Sequence, residues 1–458
     1  MMRRRLSASG RRAIASASAS SGLRADARHD VVVVGGGVMG VWTAIALAKR
    51  GASVCLAEQF APAHEKGSSH GDGRIYRLAY TEDIYVDMMR QSLPMWHDLQ
   101  DFAQTPLLHE TGGLNIAPVD SGLLDEQGAL YARRGIAHEW LSAGEVNARF
   151  PQYGLPTSGP RQMRALFQPD FGVLFASKCV AAAWEYAAHL GVETVTGFRA
   201  TALHDEGGES GGLVVADANG RAIRASAVVL AAGPWLTSLA SALLGAGAPA
   251  IPTVVSAETV CFYAPKRGME AAHSYEAMPV FIPEFDNGLG PFGYYGLPMI
   301  DVPGIKCSAH YCGPLVDPDR RPAAAGGDAA AAPAAAAEEA AAAARVAAVV
   351  DSTSRCVAET FPHVDHTPFT TSSCLYTTTP DHDYILSRAP THFAGGRVIL
   401  AGGGSGHAFK MGPAIGEAAA SLALPGVPPP FDLRRFDVRR LLQLRGADLD
   451  HEARAERR

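Results

Sequence analysis

Three glycines near the N-terminus have the spacing of a phosphate-binding turn. Gly35, Gly37 and Gly40 form the pattern G-x-G-x-x-G, and the acidic residue Glu58 follows. Glycines allow a tight turn and a close approach of the backbone to a pyrophosphate, which a helix N-terminus attracts. An acid about 20 residues further on can accept a hydrogen bond from a ribose hydroxyl and disfavours a 2′-phosphate. The spacing therefore predicts a dinucleotide site, without choosing between FAD and NAD.

The sequence around this turn has the pattern of a β-α-β unit. A β-branched run at 31–34 predicts a buried parallel strand, 38–50 a helix ended by Gly51, and 54–58 the next strand. Residues 31–48 are uncharged over the length of a membrane span. Glycines interrupt this stretch as a turn between two elements would, so no membrane segment is expected.

Further elements follow from periodicity and turn signals. Helices are expected at 85–102 and 174–190, a hairpin at Asn219-Gly220, and a buried strand ending in glycine at 228–233. Residues 251–311 predict a largely antiparallel sheet.

The C-terminal third begins with an alanine-rich tract at 321–349. Its first half is expected to be a loose surface insertion, and a helix is expected from 338 to 361. A strand at 398–401 and a helix from Pro413 follow. Residues after 438 are expected to be peripheral.

Composition excludes several classes of protein. The chain has 458 residues, a net charge of -6 and 7 cysteines. This balance gives no general attraction to nucleic acid or anionic membranes. The cysteines are scattered, their count is odd, and none forms a C-x-x-C pair. These features favour free thiols in a reducing compartment. His363 and His366 lack further ligands at suitable spacing, so no metal site is expected.

The first 28 residues are rich in Arg, Ser and Ala and poor in acids. Such a composition is typical of organellar transit peptides, of the mitochondrial or chloroplast kind, and equally of a disordered leader. We therefore expect a leader at 1–28 and an organellar location, with a cytoplasmic location as the alternative. The last residues are not a peroxisomal signal of the S-K-L type.

Four further segments combine glycine turns with cations, aromatic residues and a thiol. They are 67–77 (GSSHGDGRIYR), Tyr294-Tyr295-Gly296 followed by Lys306 and His310, 373–381 (SCLYTTTPD), and 402–410 (GGGSGHAFK). In this order, after the N-terminal turn, they resemble the monomeric sarcosine oxidase group of the D-amino-acid-oxidase-like flavoproteins. That group includes pipecolate and N-methyl amino acid oxidases.

The resemblance implies an α/β fold of two parts. One is an FAD-binding, Rossmann-like domain of the glutathione-reductase type, expected over 29–108, 170–250 and 372–437. The other is a substrate domain with a large, mostly antiparallel sheet, expected over 109–169 and 251–371, with the alanine-rich insertion inside it.

The resemblance also implies FAD as the cofactor. Cys374 matches a cysteine that carries the flavin covalently, and Arg74 matches an arginine against the flavin ring. The implied cofactor-binding residues are Gly35, Gly37, Val38, Met39, Gly40, Glu58, Ser69, His70, Arg74, Gly233, Trp235, Cys374, Gly402, Gly403, Gly404, Gly406, His407 and Lys410.

A second set of residues is implied to act on the substrate. Arg77 and Lys410 match a pair that grips the substrate carboxylate, and Lys306 matches a lysine that activates oxygen. His310 lies four residues after Lys306, so the two would share a face of a strand. The aromatic residues Tyr295 and Tyr376 match positions that line the pocket.

Together these features predict an oxidase of a small secondary-amine or N-methyl amino acid. Hydride passes to flavin N5, an imine is released, and O₂ is reduced to H₂O₂. The expected partners are the amino acid and O₂, without nucleic acid or membrane, and the chain is expected to be a monomer. Two alternatives stay open: a dehydrogenase of the same fold that oxidises a 2-hydroxy acid or amino acid with another acceptor, and a non-catalytic flavin-binding interaction protein.

Overall fold

The computed structural model describes residues 28–207, 211–245, 248–290, 292–320, 333–391 and 393–444. The leader expected at 1–28 lies outside the described residues except for Arg28, which begins the first strand. The first part of the alanine-rich tract, 321–332, also lies outside them.

The strands of the described chain are short, and most are buried. In chain order they are β1 Arg28–Val34, β2 Val54–Ala57, β3 Arg74–Tyr76, β4 Leu108–Glu110, β5 Gly113–Pro118, β6 Glu139–Ser142, β7 Met163–Gln168, β8 Gly172–Leu174, β9 Glu193–Val195, β10 Ala200–Asp205, β11 Leu213–Asp217, β12 Ala222–Leu230, β13 Val254–Tyr263, β14 Val280–Pro283, β15 Tyr294–Leu297, β16 Ile305–Ala309, β17 Thr370–Thr378, β18 Ile385–Arg388 and β19 Val398–Gly402.

The helices alternate with these strands in the first half of the chain. They are α1 Val38–Lys49, α2 Asp83–Ala103, α3 Leu123–Arg134, α4 Ala143–Arg149, α5 Ala176–His189, α6 Leu236–Leu244, α7 Pro333–Thr360, α8 Gly412–Ala423 and α9 Arg439–Leu442.

The first sheet has a parallel centre in the order β19-β12-β1-β2-β9, drawn from three distant parts of the sequence. The strands β10, β11 and β18 extend it by antiparallel pairing. The valines of β1 are at most 5% exposed because both faces of the sheet are covered. Val31 and Val33 face a core with α1, α2, α5 and α8, whereas Val32 and Val34 face a second core with α6.

The second sheet has the order β17-β13-β16-β15-β14-β5-β7-β6. All its pairs are antiparallel except β14 with β5. The helix α7 packs on β16 and β13 over a separate core. A small antiparallel sheet, β3-β8-β4, completes the structure. The predicted fold class, a Rossmann-like part beside a large, mostly antiparallel sheet, is confirmed.

Predicted and observed elements differ at a few ends. The helix expected from 338 already begins at Pro333 and ends at Thr360. Of the residues after 438, which were expected to be peripheral, 445–458 lie outside the described residues. For 439–444 the expectation is wrong, because the Arg440 guanidinium pairs with the Asp381 carboxylate at 2.7 Å and Leu441 is buried. The hydrophobic run at 31–48 is divided between β1 and α1. Among the described residues, the helices are all too short or too polar to cross a membrane.

The helices α1 and α8 pack closely because α8 presents glycine at the crossing. A Cβ atom at Gly416 would lie 2.5 Å from the backbone carbonyl carbon of Trp42. We expect Gly416→Ala to lower the free energy of unfolding by about 1–3 kcal/mol, since backbone cannot move aside as a side-chain end can. Urea unfolding measures this change. Gly122→Ala is the control, because a Cβ there meets nothing within 4 Å, and equal midpoints for both variants would contradict the packing argument.

Candidate functional site

Two adjoining cavities contain most of the residues singled out from the sequence. Cavity A, about 390 Å³, lies along the carboxyl ends of β1, β2 and β12. Cavity B, about 310 Å³, lies between α2, β15, β16 and the 402–410 segment. Five residues line both cavities and mark where they meet: Arg74, Cys374, Tyr376, Gly406 and Phe409.

The β1–α1 turn forms one end of cavity A. Gly35 has a φ of +104°, and a Cβ there would lie 2.4 Å from the carbonyl oxygen of Ala231. A Cβ at Gly40 would lie 1.8 Å from the Gly35 carbonyl oxygen. Only glycine fits at these positions, so the turn holds the α1 N-terminus against the cavity. The Val38 N–H donates to the Ser69 hydroxyl at 3.0 Å, which joins this turn to the 67–73 loop.

Glu58 lies at the end of β2 in the wall of cavity A. Its carboxylate accepts hydrogen bonds from the backbone N–H groups of Gly36 at 2.7 Å and Phe60 at 2.9 Å. Burial acts to raise the pKa of Glu58, but hydrogen bonds from His64 and these N–H groups outweigh it and lower the pKa. The carboxylate is therefore ionised at neutral pH and suits a ribose hydroxyl donor.

The residues of cavity A fit the dinucleotide cofactor predicted from the sequence. A glycine turn at a helix N-terminus can hold a pyrophosphate, and the ionised carboxylate of Glu58 can hold a ribose. The glycines 402–404 and 406 form the opposite wall. A Cβ at Gly406 would lie 2.6 Å from the Tyr376 ring, so side chains are excluded where the cavities meet.

Of the predicted cofactor residues, most line cavity A: Gly35, Gly37, Val38, Met39, Glu58, Ser69, Arg74, Gly233, Trp235, Cys374, Gly402, Gly403, Gly404 and Gly406. His407 and Lys410 line cavity B instead. Gly40 and His70 line neither cavity. Gly40 packs under the Gly35 turn, and the carbonyl of His70 accepts a hydrogen bond from Arg74 at 2.8 Å.

Arg74 organises the junction of the two cavities. Its guanidinium donates to the carbonyls of Gly73, Ser68 and His70 at 2.8–3.1 Å. The same group lies 3.2 Å from the sulfur of Cys374, a residue that is 9% exposed. One side chain thus joins the 67–73 loop to β17 of the other sheet.

All six residues predicted to act on the substrate line cavity B: Arg77, Tyr295, Lys306, His310, Tyr376 and Lys410. Lys306 and Lys410 are each only 5% exposed. The Lys306 ammonium donates to the Gly73 carbonyl and the Lys410 ammonium to the His407 carbonyl, both at 3.0 Å. The ring of Tyr80 lies 5.4 Å from the Arg77 guanidinium and 5.5 Å from the Lys410 ammonium.

Burial and mutual repulsion act on these cations. Burial, with Arg74 next, lowers the pKa of Lys306 to about 7, although Cys374 and Asp72 oppose the shift. Burial and then Arg77 lower the pKa of Lys410. An anion bound in cavity B would relieve this repulsion and raise the pKa of both lysines.

Two histidines of cavity B, His310 and His407, are neutral because burial lowers the pKa of each. Burial, then Arg77, lowers the pKa of His310 to about 3. Its Nδ1 lies 3.4 Å from the Tyr376 hydroxyl, and the Tyr295 ring packs edge-on at 5.3 Å. His407 accepts from the Tyr384 hydroxyl at 2.7 Å and bonds to the His382 carbonyl at 3.1 Å, which indicates a bracing position in the wall.

Sequence reasoning missed several residues of cavity B, among them Tyr80, Glu82, Glu284, Tyr311 and His382. Tyr80 lies only three residues after Arg77, so its closeness to the 67–77 segment was a signal from which it could have been predicted. Glu284 follows β14 in an irregular stretch, and no local pattern distinguishes it.

The contacts of Arg74 lead to a prediction about the 67–73 loop. Arg74→Lys replaces a planar fork with a single ammonium, which cannot reach three carbonyls and a sulfur together. We expect backbone amides at 67–73 to exchange with deuterium at least about tenfold faster, measured by mass spectrometry. Arg77→Lys is the control, because Arg77 donates no hydrogen bond to the described residues of this loop. Unchanged exchange in Arg74→Lys would show that the loop does not depend on Arg74.

Comparison with known proteins gives relatives over almost the whole chain. The chain is 30% identical to the peroxisomal sarcosine oxidase of Homo sapiens over 92% of this chain and 98% of that protein. It is 29% identical to the monomeric sarcosine oxidase of Bacillus sp. (strain B-0618), over 90% and 96%. It is 26% identical to the N-methyl-L-tryptophan oxidase of Citrobacter koseri, over 91% and 100%.

Solved structures share the fold. NikD, an amino acid oxidase essential for nikkomycin biosynthesis, superposes with a TM-score of 0.71 at 24% identity, covering 90% of this chain and 97% of that chain. Glycine oxidase from Geobacillus kaustophilus superposes with a TM-score of 0.67 at 19% identity, covering 92% and 100%.

The family model described as FAD dependent oxidoreductase (DAO) matches residues 30–422. The resemblance inferred from the sequence motifs is therefore confirmed. The chain belongs to the FAD dependent oxidoreductase family, and FAD is its cofactor.

Proposed function

We propose that this protein is an oxidase of a small amino acid that carries a secondary amine or an N-methyl group. The observation that carries the proposal is the grouping of Arg77, Lys306 and Lys410 around one cavity that meets the cofactor cavity at Cys374. Bound FAD supplies the acceptor for the hydride lost from the carbon next to nitrogen and passes the electrons to O₂, which leaves an imine and H₂O₂.

The cofactor is proposed to extend through cavity A to the junction. The β1–α1 turn would hold its pyrophosphate, Glu58 its ribose, and Arg74 with Tyr376 and Gly406 its reactive ring end. The polar residues of this set supply hydrogen bonds. At Gly35 and Gly406 a Cβ atom would clash with neighbouring atoms, so no side chain intrudes on the cofactor there.

The substrate carboxylate is proposed to bind Arg77 and Lys410. An arginine fork can donate two parallel hydrogen bonds to a carboxylate, and a second cation adds charge. Arg77 forms no salt bridge with a described residue, so its charge is available to a ligand. Fixing the carboxylate places the neighbouring C–H bond in a defined orientation, which is a large contribution to catalysis.

The amine of the bound substrate is proposed to be neutral when the C–H bond breaks, because hydride loss needs the nitrogen lone pair. Lys306, Lys410 and Arg77 disfavour an ammonium close to them. Neutral His310 and the hydroxyl of Tyr376 offer hydrogen bonds without adding charge.

Production of stoichiometric H₂O₂ tests the proposed reaction. Purified holoprotein with sarcosine, pipecolate, proline or N-methyltryptophan should consume O₂ and release an equal amount of H₂O₂ with at least one of them. Turnover that does not depend on O₂ but proceeds with an artificial electron acceptor would contradict the oxidase activity and favour a dehydrogenase. If none of these amines reduces the flavin and bleaches its absorption, the protein does not oxidise amines of this class.

We also propose a division of the chain and its state in solution. The FAD-binding domain would comprise 29–108, 170–250 and 372–437, and the substrate domain 109–169 and 251–371. The protein is proposed to act as a monomer, and its first 28 residues to serve as an organellar leader.

The position of Cys374 leads to a prediction about covalent flavin. Its sulfur lies at the junction of the cavities, and we propose that it is the attachment point. Denaturation in acid or SDS should then release flavin from Cys374→Ala but not from the parent, measured as yellow colour separable from the protein. Cys179→Ala is the control, because this buried thiol lines neither cavity. Equal release from parent and Cys374→Ala would refute attachment.

The position of Lys306 leads to a prediction about oxygen. Its ammonium would stabilise negative charge developing on O₂, as preorganised cations do. We expect Lys306→Met to slow reoxidation by about 100-fold, a typical cost of removing one such group, with a much smaller effect on anaerobic reduction. Since the pKa of Lys306 is about 7, the difference should be largest below pH 7 and shrink as the pH rises and the ammonium is lost.

Stopped-flow spectroscopy of the two half-reactions measures this separation. Lys178→Met is the control, because Lys178 pairs with Asp301 at 2.7 Å and lines neither cavity. Equal slowing of reduction and reoxidation would remove the assigned role of Lys306.

A further inference from the structure

Cavity B contains carboxylates that have no role in the proposed reaction. Two carboxylates line it, Glu82 and Glu284. Glu82 is already paired, since the Arg435 guanidinium lies 3.2 Å away. Glu284 forms no salt bridge with any described residue, and its carboxylate accepts no hydrogen bond from them.

The backbone holds Glu284 in place from two sides. Its N–H donates to the Ile116 carbonyl at 2.7 Å, which continues the parallel pairing of β14 with β5. On the other side Gly293 packs so closely that a Cβ there would lie 3.0 Å from the Cα of Glu284. These contacts fix the backbone at Glu284, and the residue lines cavity B.

The carboxylate of Glu284 has no ion-pair partner among the described residues. Burial raises the pKa of Glu284, and Arg77 acts in the opposite direction without forming an ion pair with it. The four cations facing the same cavity are Arg74, Arg77, Lys306 and Lys410. Arg74, Lys306 and Lys410 donate hydrogen bonds to backbone carbonyls. Arg77, beside Lys410, therefore offers a cation and Glu284 an anion to a ligand that carries both charges.

We propose that Glu284 receives the ammonium group of a zwitterionic amino acid whose carboxylate binds Arg77, and that its carboxylate oxygen then takes the ammonium proton. The N–H bond breaks, an O–H bond forms on Glu284, and the nitrogen keeps the lone pair that hydride loss requires. This inference rests on the proposed oxidase function, and it assigns Glu284 as both a specificity determinant and a proton acceptor.

The pairing selects the chemical class of the substrate. A 2-hydroxy acid or a plain carboxylic acid satisfies Arg77 but leaves Glu284 desolvated without a cation, which is unfavourable. A zwitterion satisfies both groups, and the proton that moves to Glu284 stays inside the cavity. Burial raises the pKa of Glu284, which makes its carboxylate a stronger proton acceptor than an exposed one.

A matched pair of ligands tests the proposal without turnover. In 2-aminoisobutyrate an ammonium replaces one methyl of pivalate, and neither molecule has the C–H bond that would be oxidised. Their affinities for the holoprotein can be measured from the shift of the flavin absorption spectrum. We expect the parent to bind 2-aminoisobutyrate at least about tenfold more tightly than pivalate, and Glu284→Gln to lose that preference while its affinity for pivalate changes less than about threefold.

The control is Glu82→Gln, which removes the other carboxylate of cavity B but leaves Glu284, and should keep the preference. A parent without the preference, or a Glu284→Gln variant that keeps it or weakens both ligands equally, would overturn the inference. The parent alone decides the first of these outcomes even if Glu284→Gln fails to fold. If amines bleach the flavin but the preference for 2-aminoisobutyrate does not depend on Glu284, the proposed oxidase function stays supported and only the role of Glu284 is refuted.

Discussion

The constraint on which the site depends is the burial of several cations in one cavity without an equal number of protein anions. Lys306 and Lys410 are almost fully buried, and their partners are backbone carbonyls rather than carboxylates. Isolated buried charges are costly, and a protein meets the cost by shifting their pKa values or by leaving the compensating charge to a ligand. The lowered pKa values of both lysines fit a cavity completed by an anion.

The fold supports this arrangement by bringing distant segments to one junction. Arg74 comes from the start of the small sheet and Cys374 from an edge strand of the second sheet, and they lie 3.2 Å apart at their closest side-chain atoms. The C-terminal segment braces the same region, since Arg435 pairs with both Glu82 and Asp383 beside cavity B. Positions separated by hundreds of residues are therefore held by direct hydrogen bonds, and the cavities can keep their shape before a ligand binds.

Local patterns predicted much of this structure. The valine run, the glycine turn and the following apolar stretch predicted the end of β1 at Val34, and both ends of α1 and β2 to within one residue. The pattern is clear there because most of these residues are buried. Six residues of cavity B were predicted because their flanking motifs resemble a known group. Glu284 escaped because its position depends on the pairing of β14 with β5, strands more than 160 residues apart. His407 was assigned to the cofactor from its place in the glycine segment, but its ring is held in the wall of cavity B by Tyr384 and His382.

Cavity B is proposed to be a receptor for a carboxylate beside the cofactor. Titration of the holoprotein with acetate and with acetamide, its uncharged counterpart of nearly the same shape, tests this most directly. We expect acetate to shift the flavin spectrum saturably and acetamide to leave it unchanged, because only the anion compensates the charges of Arg77 and Lys410. Equal responses to both ligands, or none to acetate, would contradict it.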